Sequence, residues 1–420
     1  MLHSVTLDGV RSFDEHVAIR FAPLTLLAGA NNSGKSTVIQ ALLAFLQSEQ
    51  TQSQSMLALT GAWCDLGAFD KVVSFRRLRD SFRFNIGLSG LNVGGQTVDC
   101  VWSFGSDEPA SPEASVLELD YSVNRSPAPT TADEPAIPPS GVISSSEPGV
   151  YRLDGDGTVR TPLFVHPGAV HTAQSAARLD LLPMSVATTH HVGPFRLPPQ
   201  PLYTPRSSQL GPRLGRYGEH TAEMIYRHRA HTVDLPVPGA DPREMPLPLL
   251  PAINAWWSYV FGEQYTLNVG VPERLGFTLS LDSPSAERLG LGQVGLGLSQ
   301  ALPIVAACLI SKPGDLLLIE TPEAHLHPGA QHRLARLFVE LSRRGRQVVV
   351  ETHSEHMVNA ARLAVKAKDL GPTDVAIQFF SQDDGRTSVR EVDLDPNGRA
   401  LSWPSGFFDQ AAIDLAELLR

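Results

Sequence analysis

The order of apolar and polar residues predicts a strand, a loop and a helix near the start of the chain. Two short β-rich runs, SVTLDGV at 4–10 and HVAIRF at 16–21, precede the run LTLLAGA at 24–30. This third run is continuously apolar, as in a buried strand, and ends on glycine and alanine. After a short polar stretch, TVIQALLAFLQ at 37–47 carries apolar residues at helical spacing.

From about residue 286 the pattern becomes a regular alternation of strands and helices. Strands are predicted at GDLLLIE, QVVVE and DVAIQFF, and helices at GAQHRLARLFVELSRR and EHMVNAARLAV. Strands that are buried on both faces and separated by helices are typical of a parallel sheet. The sequence therefore predicts an α/β fold, and it shows no repeat at a fixed period.

The middle of the chain is less regular. Residues 105–150 hold eight acidic residues against one arginine, with many Pro and Ser, which predicts a solvated loop around one short strand at SVLELDYSV. Further on, helices are predicted near EHTAEMIYRHR and PAINAWWSYVFG, and strands near YTLNVGV and GFTLSLD. Between 186 and 235 the charge is basic, with arginines at Arg196, Arg206, Arg213, Arg216, Arg227 and Arg229.

These patterns divide the chain into three segments. At 420 residues it exceeds one ordinary domain of about 100 to 200 residues. Residues 1–100 form an N-terminal half with the glycine loop, and 286–420 form a C-terminal half. A large mixed α+β insertion at 101–285 lies between them, with the acidic loop at 105–150 and the arginine-rich segment at 196–229.

Composition narrows the classes of function. The net charge of -10 argues against a nucleic-acid binder held by a global positive field, although a local basic stripe stays open. Three scattered cysteines fit a reducing compartment. The N-terminus has no secretory pattern, and the apolar run ALPIVAACLI is shorter than the roughly 20 residues of a membrane span. We expect a cytoplasmic protein without a membrane partner.

The glycine loop matches the pattern G-x-x-x-x-G-K-[ST] for phosphate binding. Small residues let successive backbone N–H groups surround a phosphate, and the helix that follows directs its positive end at the anion. We expect Lys35 to neutralise the β and γ phosphates of ATP and Ser36 to bind Mg²⁺. The predicted cofactors are therefore ATP and Mg²⁺, held by Gly29, Ala30, Asn31, Asn32, Ser33, Gly34, Lys35, Ser36 and Thr37.

Three further pieces complete a predicted nucleotide site. Glu320 ends an apolar strand, where an acid holds the magnesium shell in phosphate-loop proteins. His353 follows the next strand, from which its side chain could reach a γ-phosphate or the attacking water. The segment GQVGLGLSQ offers backbone N–H groups and a hydroxyl before an apolar helix, an anion site predicted to use Gly295, Gly297, Ser299 and Gln300.

In this order the pieces resemble the ATP-binding-cassette (ABC) heads of the RecF, structural-maintenance-of-chromosomes (SMC) and overcoming-lysogenization-defect (OLD) ATPases. The likeness is closest to AAA-type prokaryotic ATPases related to OLD. It rests on LLIETPEAHLHP, VVVETHSEH and WPSGFFDQ, and also on LGAFDKVV and HHVGPFR. It covers most of the chain outside roughly 105–170. The resemblance implies a head-to-head homodimer in which the signature residues of one protomer close over the ATP of the other.

Thr321 departs from that family pattern. The residue after the magnesium acid is usually a glutamate that polarises the attacking water, and a threonine hydroxyl has no useful pKa for this task. Glu323 is either a displaced catalytic base or a structural acid that pairs with an arginine. The resemblance also makes HLHP a dimer-contact loop and not a metal site. Slow hydrolysis and a long-lived ATP-bound dimer follow as expectations.

Two functions remain open from the sequence. The first is the ATPase sensor of a bacterial anti-phage defence system, which controls a separate effector such as a nuclease or another toxin. The second is a RecF-like or SMC-like repair or clamping ATPase that binds DNA through the arginines of 196–229. These arginines are equally consistent with a solvated face or with pairing to Glu219 and Glu223. The acidic net charge and the OLD resemblance favour defence.

Overall fold

The computed structural model describes fifteen stretches of the chain: 1–48, 56–79, 82–93, 96–106, 108–124, 140–147, 150–153, 157–159, 189–204, 214–237, 239, 246–262, 265–271, 276–284 and 286–419. The chain divides into two compact units. The first consists of Met1–Phe21, Ala30–Val186 and Phe380–Val389, and the second of Ala22–Gly29, Ala187–Phe379 and Arg390–Arg420. The predicted three-segment division stays a prediction.

The secondary structure is mixed throughout. The strands are β1 Ser4–Asp8, β2 Val17–Arg20, β3 Leu24–Gly29, β4 Met56–Ala58, β5 Arg83–Val93, β6 Gln96–Gly105, β7 Glu113–Asn124, β8 Ser140–Glu147, β9 Val150–Leu153, β10 Gly157–Val159, β11 Thr189–Val192, β12 Thr232–Val233, β13 Leu247–Pro248, β14 Thr266–Gly270, β15 Thr278–Ser283, β16 Ala286–Gly290, β17 Leu316–Glu320, β18 Gln347–Thr352, β19 Val375–Asp383 and β20 Arg386–Glu391. The helices are α1 Lys35–Ser48, α2 Phe69–Val72, α3 Thr221–His228, α4 Leu249–Phe261, α5 Leu296–Ile310, α6 Pro328–Arg343, α7 Glu355–Lys366 and α8 Gln410–Leu418.

The first unit contains an antiparallel sheet. Its strands follow the order β10-β9-β8-β7-β6-β5-β1-β2, and β4 pairs with β7. Helix α1 is almost wholly buried, and the ring of Phe45 lies 4.9 Å from that of Trp102 on β6, centroid to centroid. Strands β7 and β8 both fall in 105–150, so the expectation of a loop around one short strand is wrong. The polar sequence SGVISSSE of β8 gives little apolar signal.

The second unit is built around a parallel sheet. The strand order is β11-β17-β18-β3-β19-β20, with β11, β17, β18 and β3 all parallel. Strands β17 and β18 are buried along their whole length, as their Leu and Val runs predict. Helices α4, α5 and α6 pack on one another in the same apolar core, which includes Trp256 and Trp257. The α/β class is confirmed.

The register of this sheet aligns the carboxyl ends of three strands. Glu320 at the end of β17 is paired with Glu351 of β18, and Thr352 at the end of β18 is paired with Ala28 of β3. The glycine loop begins at Gly29, where β3 ends. In open parallel sheets, ligands bind outside the carboxyl ends of the strands.

Candidate functional site

The phosphate loop has the backbone that its glycines require. It connects β3 to α1, with positive φ angles at Gly29 (146°), Asn32 (60°) and Gly34 (96°). A Cβ atom on Gly34 would lie 2.8 Å from the Oγ1 atom of Thr387. Gly34 therefore cannot carry a side chain unless its neighbours move. Ala30 to Thr37 belong to the first compact unit.

Lys35 is buried and folded over its own loop. Its Nζ atom donates to the Ala30 carbonyl at 2.6 Å and lies 3.4 Å from the Ser33 hydroxyl oxygen. That hydroxyl also donates to the Ala30 carbonyl, at 2.8 Å. Lys35 and Ser36 open the first turn of α1, where backbone N–H groups lack helical acceptors. A cation and these donors in one turn suit a phosphate ligand.

Thr387 braces this loop from a distant part of the sequence. Its hydroxyl donates to the Ser33 carbonyl at 3.0 Å, and its backbone N–H donates to the Ser12 carbonyl at 2.8 Å. The side chains of Ser12 and Thr387 are also hydrogen-bonded, at 2.7 Å. The loop is thus fixed by contacts that no local motif reveals.

In the second unit, Glu320 is buried and held by a histidine. The Nε2 atom of His191 on β11 lies 2.8 Å from Oε1 of Glu320. Because β11 pairs in parallel with β17, the imidazole reaches the carboxylate across the two strands. A histidine that orients a carboxylate in this way is common around metal ligands.

Arg196 lies beside the carboxyl end of β17. Its Nη2 atom donates to the carbonyls of Glu320 (2.6 Å) and Thr321 (3.2 Å), and the residue is 7% exposed. Its Nε and Nη1 atoms are buried without a hydrogen-bond partner among the described residues. Burial lowers the pKa of Arg196 to about 10, while Glu323 and Glu320 act to raise it. The guanidinium stays cationic at pH 7, with donors left for an anion.

Thr321 adopts a backbone conformation unusual for a β-branched residue. Its φ angle is 43°, and its N–H donates to the Glu351 carbonyl at 2.8 Å. Positive φ in such a residue stores strain of about 1–3 kcal/mol and clusters at functional sites. The turn that carries Thr321 is therefore held in place by its surroundings.

Glu323 joins the ends of β17 and β18. Its Oε1 atom accepts the backbone N–H of His353 at 2.5 Å, and its Oε2 atom accepts the Thr352 hydroxyl at 2.9 Å. Burial raises the pKa of Glu323 despite these hydrogen bonds. One oxygen is therefore engaged by the His353 backbone and the other by the Thr352 side chain, whereas the His353 side chain is exposed. The structure thus brings Glu320, Glu323 and His353 together.

The predicted signature lies at the start of α5, in the same unit. A Cβ atom on Gly297 would come within 2.5 Å of the His325 carbonyl, so this position requires glycine. The Ser299 hydroxyl donates to the Leu296 carbonyl at 3.0 Å, and Gln300 Nε2 donates to the Arg196 carbonyl at 3.3 Å. The N-cap position is Gly295.

The two histidines of HLHP lie just before α6. The Nδ1 atom of His327 accepts the Gly329 N–H at 3.2 Å as the N-cap of α6, and His325 has a φ angle of 63°. His327 is therefore engaged in ending a turn and starting a helix.

Sequence reasoning missed His191, Arg196 and Thr387 as site residues. In the sequence, HHVGPFR carries only the family likeness, and Arg196 belongs to the basic segment at 196–229. Its burial removes it from a basic stripe, because it cannot contact a DNA backbone from its position. Arg227 pairs with Glu223 at 2.7 Å, and Arg206 and Arg213 lie outside the described residues.

The donor chemistry fits the predicted cofactors. A serine hydroxyl and a carboxylate are the hard oxygen ligands that Mg²⁺ prefers. Glu320 has this chemistry, with its Oε1 atom oriented by His191, and Ser36 has it at the first turn of α1. The Lys35 loop and the donors of Arg196 suit the phosphates of a nucleotide.

Family comparisons identify two ATPase-type segments. Residues 1–84 match the AAA ATPase domain. Residues 278–359 match the family described as AAA domain, putative AbiEii toxin, Type IV TA system. Residues 370–418 match a family of unknown function. Together with the strand order, the split match confirms the predicted α/β fold, with AAA-type ATPase segments at 1–84 and 278–359.

Solved structures of SMC heads also resemble this chain. A SmcHead bound to the C-winged helix domain of ScpA is 14% identical, with 94% of this chain and 98% of that one covered and a TM-score of 0.49. An SMC head domain from Thermotoga maritima is 12% identical, with 94% and 99% covered and a TM-score of 0.43. A Pyrococcus furiosus Smc head with an extended coiled coil is 12% identical, with 100% and 99% covered and a TM-score of 0.47.

Among curated proteins, none matches this chain. Within the described residues, no helix is long and apolar enough to cross a membrane. The family matches support ATPase segments of the AAA type, and the specific relation to OLD proteins stays a prediction.

Proposed function

We propose that this protein binds Mg-ATP through the loop at 29–37, hydrolyses it slowly, and works as a nucleotide-gated switch. One observation carries the proposal. Glu320, Thr352 and Gly29 end neighbouring parallel strands of one sheet at the same edge, and the phosphate loop begins at Gly29. An acid that ends one strand, and a phosphate loop that follows a parallel strand at the same sheet edge, are features that phosphoryl-transfer sites share.

Each residue has a distinct task in this proposal. Lys35 and the N–H groups of its loop hold the phosphates, and Ser36 and Glu320 are the residues that would hold Mg²⁺. When bound, the ion neutralises charge on the phosphate oxygens. His191 keeps the Glu320 carboxylate oriented, and Arg196 offers its remaining N–H donors to an anionic oxygen.

The turn at Thr321 supports slow turnover. The position directly after Glu320 carries a hydroxyl without useful basicity, and both oxygens of Glu323 accept hydrogen bonds. Glu323 then positions His353 and is not the strongest candidate for a base. A protein of this kind spends most of its time with ATP bound, which favours a switch over a high-turnover enzyme.

The proposed working unit is a homodimer. Gly295, Gly297 and Ser299 at the start of α5 are proposed to close over the γ-phosphate held by the partner's loop, because helix N-termini bind anions. Mixing inactive subunits tests this. A Lys35→Ala protein and a Ser299→Arg protein, each inactive alone, should regain activity when combined. If no mixture recovers activity, each site is complete within one chain.

The proposed biological role is the ATPase sensor of an anti-phage defence system that controls a separate nuclease or toxin. Support comes from the match of 278–359 to a family described as a putative AbiEii toxin of a Type IV TA system. The alternative role is direct DNA binding through the arginine segment. It has less support, because Arg196 is buried and Arg227 forms an ion pair with Glu223. We therefore favour the defence role.

The proposal is tested by calorimetry with Mg-ATP. The Lys35→Ala protein should lose measurable binding, because its loop no longer holds a cation. Lys71→Ala is the matched control, since Lys71 is exposed and paired with Asp70, and it should bind like the parent protein. Unchanged affinity in Lys35→Ala would refute nucleotide binding by this loop.

A further inference from the structure

Thr387 lies near the tip of a β-hairpin that is distant in sequence from the phosphate loop. Strands β19 and β20 are neighbours in the sheet order and are joined by only two residues, Asp384 and Gly385. Both residues have positive φ angles, 46° and 75°, as in the two-residue turns that connect hairpin strands. Such a turn sets the register of its strands, so it also sets the place of Thr387, two residues after Gly385.

The tip of this hairpin and the phosphate loop belong to the same compact unit, which includes Phe380–Val389 as well as Ala30–Val186. Exposure alternates along this end of β20. Thr387 is 7% exposed, whereas its neighbours Arg386 and Ser388 are exposed. Thr387 is therefore the residue that this end of the strand directs into the unit.

The hydrogen bonds of Thr387 have one consistent direction. A carbonyl oxygen only accepts, so the Thr387 hydroxyl donates its single hydrogen to the Ser33 carbonyl, at 3.0 Å. In the pair of hydroxyls of Ser12 and Thr387, 2.7 Å apart, Ser12 is then the donor. The backbone N–H of Thr387 also donates to the Ser12 carbonyl at 2.8 Å. Two hydrogen bonds therefore fix Thr387 on Ser12, and one hydrogen bond fixes the loop on Thr387.

This contact decides the direction of one N–H group in the loop. A trans peptide unit is planar, and its C=O and N–H bonds point in opposite directions. Because the Ser33 carbonyl is directed at Thr387, the N–H of Gly34 in the same peptide unit is directed away from Thr387. Gly34 is the second glycine of the phosphate pattern, in which successive N–H groups surround a phosphate. Thr387 therefore orients a donor that a phosphate ligand is expected to use.

The same peptide unit is also confined by packing. A Cβ atom on Gly34 would lie 2.8 Å from Oγ1 of Thr387 and 3.0 Å from Cε2 of Phe13, whose side chain is buried. The Gly34 carbonyl accepts the Thr37 N–H at 3.1 Å, in the first turn of α1. With side chains close on one side and the helix on the other, rotation of this peptide unit is restricted.

We propose that Thr387 is a positioning residue for phosphate binding, which orients the Gly34 N–H toward a phosphate oxygen before the ligand arrives. This role rests on the proposed binding of Mg-ATP by the loop at 29–37. A loop whose donors are already oriented loses less conformational entropy when it binds, so its affinity is higher. Thr387 acts on affinity and not on the chemical step, because it contacts the loop and not the reacting atoms.

Calorimetry with Mg-ATP tests this role. Thr387→Val keeps the shape of the side chain without its hydroxyl and should raise the dissociation constant about three- to tenfold, the scale of one hydrogen bond. Thr387→Ser keeps the hydroxyl and should stay within about twofold of the parent protein. The kcat for ATP should change by less than about twofold in both variants, so that the loss in Thr387→Val appears in KM.

Ser388→Ala is the matched control. Ser388 is the next residue of β20, and its hydroxyl pairs with that of Ser381 at 2.8 Å on the exposed side of the hairpin. This variant also loses a pair of hydroxyls in the hairpin, but it should bind Mg-ATP like the parent protein. Equal loss of affinity in Ser388→Ala and Thr387→Val overturns the proposal, because the hairpin as a whole then sets the affinity. Loss of affinity in Thr387→Ser overturns it as well.

The number of binding sites separates positioning from misfolding. An unfolded fraction lowers the number of sites, whereas a misplaced N–H group raises the dissociation constant at full stoichiometry. If Thr387→Val does not fold, Thr387→Ala replaces it, because it leaves no methyl group against the Ser33 carbonyl, and the same loss of affinity is expected. Affinity like that of the parent in a folded variant without the hydroxyl overturns the role of Thr387 and leaves nucleotide binding intact. A parent protein that does not bind Mg-ATP refutes the proposed function, and the role of Thr387 with it.

Discussion

The two ends of β17 carry the same kind of pair in different settings. At the amino end, His190 Nε2 lies 3.0 Å from Oδ2 of Asp315, and at the carboxyl end His191 Nε2 lies 2.8 Å from Oε1 of Glu320. Both histidines belong to β11, and all four side chains are buried or nearly so. Distance and burial do not separate the two pairs.

Their neighbours do. Asp315 also accepts the Lys312 N–H and so closes the turn before β17, which is a structural task. Glu320 lies beside Arg196, which has donors without partners, and three residues before Glu323, which has a raised pKa. We therefore expect the position of a His–carboxylate pair on a parallel sheet to decide its use, because ligands bind at the carboxyl ends.

The largest expected effect comes from the two acids themselves. Glu320→Gln should lower the rate of phosphate release at saturating Mg-ATP by about a hundredfold or more, the scale for loss of one electrostatic stabiliser. Asp315→Asn should keep that rate and instead lower the free energy of unfolding by about 1–3 kcal/mol, because a buried hydrogen-bond partner is weakened. Equal loss of turnover in both variants would contradict the different roles assigned to Glu320 and Asp315 at the two ends of β17.

Substitutions of Arg196 test whether its cationic side chain contributes to turnover at the carboxyl end of β17. Arg196→Ala should lower turnover by about 10- to 100-fold with the fold retained, since an anion at this edge loses charge-assisted donors. Arg196→Lys should recover part of the loss, because it keeps the charge without the fork of donors. Turnover is measured with nucleotide binding in parallel. If Arg196→Ala hydrolyses ATP like the parent, the unpartnered donors have no role in the reaction.

The histidines should differ as their carboxylates do. His191→Phe should lower turnover by about tenfold, as for loss of a residue that orients a metal ligand, whereas His190→Phe should not change it. Both should reduce stability to a similar extent, which urea denaturation measures. A loss of turnover that follows stability equally in both variants would assign His191 a packing role only.

The smallest expected effect is at Glu323. We expect Glu323→Gln to retain turnover within a few-fold, because the amide oxygen can still accept the His353 N–H. Thr321→Glu should raise turnover by supplying a base after Glu320. A fall of about a hundredfold to ten-thousandfold in Glu323→Gln would instead identify Glu323 as the base.

The pH profile gives an independent measure of the same choice. A base must be ionised, so activity would be lost as the pH falls through its pKa. Because burial raises the pKa of Glu323, that loss would occur above the ordinary value of about 4.3 and would disappear in Glu323→Gln. A structural Glu323 predicts the same acid limb in the parent protein and the variant.

The sequence predicts those parts of the site that local pattern determines. The loop at 29–37 is recognisable because strand, glycines and helix are contiguous, and Glu320 because an apolar run ends on an acid. His191, Arg196 and Thr387 acquire their contacts from pairings across the fold. His191 is 129 residues from Glu320, and Thr387 is 354 residues from Ser33. No local period encodes such contacts. Because Arg196 is buried, its charge belongs to the predicted site and not to a basic surface.

The hydrogen bond from Gln300 to the Arg196 carbonyl joins the start of α5 to the residue that borders Glu320. If the start of α5 acts on the partner's nucleotide, as proposed, a protomer whose arginine is drawn toward its own ligand also shifts the surface that it offers across the dimer. Each subunit then reports its own occupancy to its neighbour, and closure depends on both sites being filled together. A dimer of this kind does not close around a single bound nucleotide, and its closure rises steeply with the ATP concentration.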